Sequence, residues 1–340
     1  MAFIDTVLQQ PSYGWQNEKG ELVIPNTRQL FKEALARINI FKSRKNWISL
    51  AGWFTIACMT PFFYAFITQY FSWYFLIIAL VYSLIIMGTH GTIWFHRYCT
   101  HKAYRFSHPL WRILTQHLVI KTLAEEVYVI SHHVHHAKSD QPGDPYNSKA
   151  GLLYCFLADI NHQGISKELS GKDYAKATQL MRHTGVWINS FKQYSKWGSI
   201  ASLKYTLLTL LLNWIFWYTV LFFIGGHGLA CTIFSAAMLW FILVRVFNFT
   251  GHAKGKTEHV DGTDFDRSNL SVNQMRPGLF TGEWHNNHHL YPGSARAGFL
   301  PHQLDLAWTY IYCLYKIGAV SWYHDSKPDF LKKYINAKKS

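Results

Sequence analysis

The sequence predicts an all-α integral membrane protein with four transmembrane helices and a cytoplasmic helical cap. Three observations predict this class. Of the 340 residues, 49% are hydrophobic and only 15% are charged, whereas about a quarter of an ordinary soluble domain is charged. The apolar residues are concentrated in two long stretches, and the basic residues almost entirely avoid both.

The two apolar stretches are each long enough for a hairpin of two spans. Residues 46–94 contain no Lys, Arg, Asp or Glu, and a bilayer core needs about 20 apolar residues per helix. Polar and aromatic residues at 68–73 suit a turn at the membrane surface. Residues 205–250 repeat the pattern, with a Gly-Gly-His-Gly turn at 225–228 and Arg245 as the one charge.

The basic residues predict the orientation. Of the 33 Lys and Arg residues, all except Arg245 lie outside the two apolar stretches. Loops rich in Lys and Arg are retained on the cytoplasmic side of a membrane. The predicted order is an N-terminal cytoplasmic segment, a hairpin, a cytoplasmic loop, a second hairpin and a C-terminal cytoplasmic part: 1–45, 46–94, 95–204, 205–250 and 251–340. We expect residues 110–127 to form an amphipathic or buried helix, because charges interrupt them.

The net charge of +14 suggests an anionic partner. No nucleic-acid-binding motif accompanies it, so the sequence predicts contact with a lipid bilayer and none with nucleic acid. We expect a multi-pass protein of a bacterial inner membrane rather than of the endoplasmic reticulum.

Three histidine clusters predict a metal site in the cap. Eight of the 19 histidines form one HxxxxH and two HxxHH patterns: His96 and His101; His132, His135 and His136; His285, His288 and His289. Histidines at i, i+3 and i+4 share one helical face, and imidazole suits Zn, Cu, Fe or Ni. Because eight ligands exceed the need of one ion, the sequence predicts a histidine-ligated di-metal site.

The first cluster poses a geometric problem. His96 and His101 are five residues apart, which separates them by about 140° on a regular α-helix. The two could not meet one ion from a regular helix without distortion, so either the helix breaks there or the two histidines serve different metals.

On this four-span layout, the three histidine boxes resemble those of the membrane fatty acid desaturase family, and of its acyl-CoA Δ9-desaturase branch in particular. The matching text is Phe95-His96-Arg97 through His101, HHVHHAKSDQPGDPYN from His132 to Asn147, and GEWHNNHH from Gly282 to His289. The resemblance covers residues 45–315. It implies a ninth ligand, His252, and a metal-bound water on Asn248 in the element Asn248-Phe-Thr-Gly-His252.

The resemblance also implies the chemistry. Two iron ions (Fe²⁺/Fe³⁺) and O₂ would introduce a double bond, with O₂ reduced to water, into a long-chain fatty acyl substrate of lipid biosynthesis. No catalytic side chain is expected beyond the metal centre. Because no cytochrome b5 motif is present, a separate donor of the ferredoxin, rubredoxin or cytochrome b5 type would supply the electrons.

Several alternatives stay open. Where acyl-CoA enzymes carry a charged pair before the second box, this chain has Ile130-Ser131, so the acyl carrier is CoA, a lipid or a carrier protein. A hydroxylase or ketolase could use the same histidine cage. A metal transporter is more distant, because its ligands should lie at the membrane midplane. Four carboxylates are either partners of the ligand histidines or solvated surface charges: Asp140, Asp144, Glu283 and Asp305.

Overall fold

Helices make up most of the regular structure in the computed structural model, which describes residues 2–11, 16–158, 164–252, 264–265 and 284–336. The chain divides into two units. Unit 1 comprises Met1–Ala79 and Ile120–Phe249, and unit 2 comprises Leu80–Val119 and Thr250–Ser340.

Within the described residues, three helices are long and apolar enough to cross a membrane. They are Arg44–Gln69, Trp73–Thr100 and Leu203–Thr250, of 26, 28 and 48 residues. The third is interrupted, because Gly225 and Gly226 have non-helical backbone angles. Gly226 has a φ of +70°, a conformation that glycine adopts readily because it has no Cβ.

Unit 1 contains the first and third of these helices together with the helix of the second histidine box. Its described α-helices are α1 Phe3–Thr6, α2 Thr27–Ile38, α3 Trp47–Gln69, the first part of α4 Trp73–Val81, α7 Glu125–Lys138, α8 Leu152–Leu157, α9 Gly171–Met181, α10 Phe191–Trp197 and α11 Leu203–Thr250. Aromatic side chains pack α3 against α11: Phe62 stacks on Phe234 with 4.6 Å between ring centroids.

Two buried carboxylates anchor the start of α7. The Glu126 carboxylate accepts hydrogen bonds from the Ile200 and Ala201 amides at 2.9 and 2.6 Å. Glu125 pairs with the Lys121 ammonium at 2.6 Å, and both side chains are buried. The helix that carries the second histidine box is therefore fixed at its N-terminal end to the segment before α11.

The single helix expected over residues 110–127 is wrong. A short helix, α6, spans Pro109–Gln116, and α7 begins only at Glu125. Between them, the Lys121 amide donates to the Asn213 side chain at 2.7 Å, and the Lys121 carbonyl accepts from the Trp214 indole at 2.8 Å. Side chains of α11 thus satisfy these backbone groups, which removes the need for a helix there.

Unit 2 contains the first and third histidine boxes. Its described elements are π-helix π1 Tyr82–Met87, α5 Gly88–His90, π-helix π2 Gly91–Thr100, β1 Tyr104–Phe106, α6, α12 His285–Leu290, α13 Leu306–Lys316, β2 Val320–Tyr323, α14 Lys327–Phe330 and π-helix π3 Leu331–Ile335. Strands β1 and β2 pair antiparallel, with Tyr104 opposite Tyr323.

A buried ion pair joins the first box to the segment after the third. The Arg97 guanidinium donates to an Asp305 carboxylate oxygen at 3.0 Å and to the Ala295 carbonyl at 2.6 Å. Asp305 also accepts from the Ala297, Gly298 and Trp308 amides. A buried pair needs such extra hydrogen bonds, because desolvation of two charges is costly.

Glu126 predicts a pH dependence of stability. Burial raises the pKa of this carboxyl to about 7, although its two amide partners lower it. Because the folded-state pKa lies above the ordinary value, stability from this group is full below about pH 4.5 and is lost as the pH rises through 7, by about 3 kcal/mol in all. We expect Glu126→Gln to weaken the fall in unfolding midpoint between pH 5 and 8, measured on protein in detergent.

The matched control is Glu168→Gln, at an exposed carboxylate of the same unit. It should follow the wild-type curve. Parallel curves for the wild type and Glu126→Gln would show that Glu126 is ionised throughout this range.

Candidate metal centre

The first histidine box lies on a π-helix. In π2 the His101 amide donates to the His96 carbonyl at 3.1 Å, which is the i→i+5 bond of a π-helix. Residues five apart are then one turn apart, and the two ring centroids lie 4.9 Å from each other. The helix is therefore distorted into a π-helix at this point rather than broken.

Unit 2 brings six histidines together in two triads. The first triad is His96, His101 and His288, with ring centroids 4.1 to 4.9 Å apart. The second triad is His252, His285 and His289, with centroids 4.5 to 5.1 Å apart. The rings of His288 and His289, 5.6 Å apart, link the two.

Unit 1 presents a third triad on one face of α7. The rings of His132, His135 and His136 lie 4.7 to 5.6 Å from each other. His132 and His135 are buried and His136 is half-buried. The i, i+3, i+4 spacing produces this face because the three residues lie on adjacent turns.

Nitrogen atoms converge in a pair within each triad. The two Nε2 atoms are 2.9 Å apart for His96 and His288, 3.0 Å for His252 and His285, and 3.0 Å for His132 and His136. With metal–nitrogen bonds of about 2.1 Å, ligands at a right angle lie about 3.0 Å apart and tetrahedral ligands about 3.4 Å apart. Each described nitrogen pair is spaced either for a hydrogen bond or for two adjacent imidazole ligands of one metal ion.

Asp144 orients one of these rings. Its buried carboxylate accepts from His135 Nδ1 at 2.9 Å. Since the Nδ1 proton is engaged, His135 Nε2 carries the lone pair that a metal requires. The same carboxylate accepts from the Asp140 and Tyr146 amides, each at 2.8 Å, so it also fixes the turn after α7.

The other predicted site residues are distributed as follows. Asp140 is buried with a φ of +59°, and its amide contacts Asp144. Asp305 binds Arg97 and backbone amides, as described above. Asn248 lies in the last turn of α11, and Glu283 lies outside the described residues.

Sequence reasoning missed Arg97, which ties the residue next to His96 to the segment that follows the third box. The sequence feature that could have revealed Arg97 is its position: it is a charged residue inside a histidine box, at the end of an apolar stretch. Such a residue is buried only when it is paired.

Comparison with known proteins agrees with this geometry. The family model described as fatty acid desaturase matches residues 71–311. The chain is similar to an sn-1 stearoyl-lipid 9-desaturase of Synechocystis sp., at 28% identity over 75% of this chain and 73% of that protein. It is similar to an sn-1 stearoyl-lipid 9-desaturase of Anabaena variabilis, at 28% identity over 82% and 93%.

A third relative is an acyl-CoA Delta-12 desaturase of Tribolium castaneum, 24% identical over 76% of this chain and 67% of that protein. The family model covers well over half of the chain, including the described histidine boxes. The chain therefore belongs to the fatty acid desaturase family, and it is a membrane oxidoreductase that desaturates fatty acyl substrates.

Proposed function

We propose that this desaturase uses two iron ions, held by its nine clustered histidines, to form a Δ9 double bond in the long acyl chains of membrane lipids. The proposal rests on the arrangement of these histidines in triads with convergent Nε2 atoms. The nine proposed ligands are His96, His101, His132, His135, His136, His252, His285, His288 and His289.

Iron is the metal that we propose because the resemblance to membrane fatty acid desaturases implies it and because imidazole ligands suit iron. When bound, the irons would supply the O₂ activation needed to remove hydrogen from two neighbouring methylenes. The chain's own part is placement: Asp144 holds His135 in one tautomer, and π2 turns His96 and His101 to the same side. Asn248 is proposed to hold a metal-bound water.

A lipid is the acyl carrier that we propose. The two residues that replace the charged pair of acyl-CoA enzymes, Ile130 and Ser131, are buried in α7, so they offer no charge to a CoA phosphate. Two relatives are named as stearoyl-lipid enzymes that act at position 9. A separate donor of the ferredoxin, rubredoxin or cytochrome b5 type would provide the electrons.

The topology that we propose has four spans, with both termini and the histidines on the cytoplasmic side of a bacterial inner membrane. On either side of the glycine pair, α11 has 22 residues (203–224) and 24 residues (227–250). At 1.5 Å per residue each half is about 33 to 36 Å long, enough for a hydrocarbon core of about 30 Å.

Expression in a host that lacks its own desaturase tests the function. We expect gas chromatography to show a new Δ9 monounsaturated fatty acid, with isotope label appearing first in phospholipid rather than in acyl-CoA. His132→Ala should abolish the product and lower the bound iron, because it removes a ligand. The adjacent His133→Ala should retain both, and it is the matched control.

Label that appears first in acyl-CoA or carrier-bound acyl chains would reject the lipid carrier but retain the desaturase. A hydroxylated product would reject the reaction. An essential His133 with a dispensable His132 would reject the proposed ligand set.

Asp144→Asn should weaken metal retention by a factor of about 10 to 100, the usual effect of losing a carboxylate behind a ligand histidine. The measurement is iron per chain after dialysis against increasing concentrations of a chelator. Asp173→Asn, at a partly exposed carboxylate of α9 that pairs with Lys176, is the control. Equal retention by both variants would mean that Asp144 only shapes the turn.

The topology is tested by cysteine labelling in a Cys58→Ser, Cys313→Ser background. A membrane-impermeant maleimide applied to intact cells should label Ile224→Cys, which is exposed beside the glycine pair, and should not label Lys192→Cys in the predicted cytoplasmic loop. The reverse pattern would invert the orientation. If Ile224→Cys is not labelled, the glycine turn of α11 does not reach the outside of the membrane, and the four-span topology fails.

A further inference from the structure

Helix α2 has two faces of different character. On one face, Leu30 and Ala34 are buried in a cluster with Tyr154 and Cys155 of α8. On the opposite face, Phe31 and Leu35 are 52% and 64% exposed. The packing of unit 1 accounts for the first face and leaves the second uncovered.

The uncovered face also carries positive charge. Arg28 and Lys32 are exposed and lie one turn from Phe31 and Leu35, on the same side of the helix. We call these four residues the outer face of α2. Phe41, which follows the helix, is 98% exposed. Large apolar side chains bordered by cations are typical of helices that lie in the plane of a membrane surface.

The outer face is held close to the point where the first apolar helix begins. The buried Asn46 side chain donates to the Ala36 carbonyl at 3.0 Å and to the Asn39 carbonyl at 2.7 Å. Asn46 directly precedes α3, and the apolar helix of which α3 is part starts at Arg44. These bonds satisfy carbonyls at the end of α2 and tie that end to the first turns of the span.

We propose that the outer face of α2 lies in the headgroup layer of the bilayer and binds anionic phospholipid. Phe31 and Leu35 insert between acyl chains, while Arg28 and Lys32 contact lipid phosphates. The helix α3 of the same unit also exposes large apolar side chains, such as Phe54, which is 64% exposed. A second copy of the chain is a poor occupant, because it would bring these cations against each other.

Spin labels test the depth of the outer face. In the Cys58→Ser, Cys313→Ser background, nitroxides are attached at Leu35→Cys, at Gln29→Cys on the same helix, and at Phe54→Cys in α3. The protein is reconstituted in phosphatidylcholine vesicles that contain phosphatidylglycerol. Collisions with O₂, which concentrates in hydrocarbon, are compared with collisions with a water-soluble nickel chelate.

The Leu35 label should resemble the Phe54 label and favour O₂, whereas the Gln29 label should favour the nickel chelate. If the Leu35 label favours the chelate as strongly as the Gln29 label, the face lies in water and the proposal fails. Protection of the Leu35 label from both reagents would mean that protein covers the face, which also overturns the proposal.

The charges are tested with the double variant Arg28→Gln, Lys32→Gln. It should retain the wild-type gel-filtration profile and turnover in detergent, since neither residue belongs to the metal centre. In vesicles with phosphatidylglycerol, its Leu35 label should shift towards the water-exposed value, and the wild type should show the same shift in pure phosphatidylcholine. If the Leu35 label shows the same O₂ preference in the wild type and the double variant, with and without phosphatidylglycerol, the face does not bind anionic phospholipid and that part of the proposal is rejected.

Discussion

The convergence of imidazole nitrogens is the constraint on which the rest of the structure depends. Two Nε2 atoms 2.9 to 3.0 Å apart repel each other unless a proton or a cation lies between them. Where Asp144 engages the Nδ1 proton, as at His135, the remaining nitrogen carries a lone pair. Buried polar groups need partners, so these rings require a proton or a cation between them and a scaffold that keeps them from turning away.

Local distortion and buried pairing provide that scaffold. The π-helical bond between His101 and His96 replaces a regular α-helical turn and aligns two rings that would otherwise diverge. The Arg97–Asp305 pair then fixes this segment to the chain that follows the third box. Its desolvation cost is offset in part by further hydrogen bonds to both side chains.

The sequence was sufficient for the helical class, for the apolar stretches and for the grouping of the histidines within each box, because each depends on periodicity and composition, whereas His252 was implied only by the family resemblance. The sequence was insufficient where a contact between residues far apart in the chain determines the local structure. The break before α7 depends on Asn213 and Trp214, nearly a hundred residues away. The carboxylates were also indistinguishable by sequence: Asp144 contacts a histidine, whereas Asp305 contacts an arginine. The π-helix itself could not be predicted. The spacing of His96 and His101 shows only that a regular helix of 3.6 residues per turn does not bring both rings to one side.

Our proposal of a lipid as the acyl carrier rests on the packing of α7 rather than on the histidines. Ile130 and Ser131 lie two residues and one residue before His132, on a helix whose start is held by Glu126, and both are buried. Introducing a charged pair at these two buried positions would require the charges to be desolvated, at a cost of several kcal/mol per ion. Exchanging these two side chains alone is therefore not expected to create a binding site for the CoA phosphates.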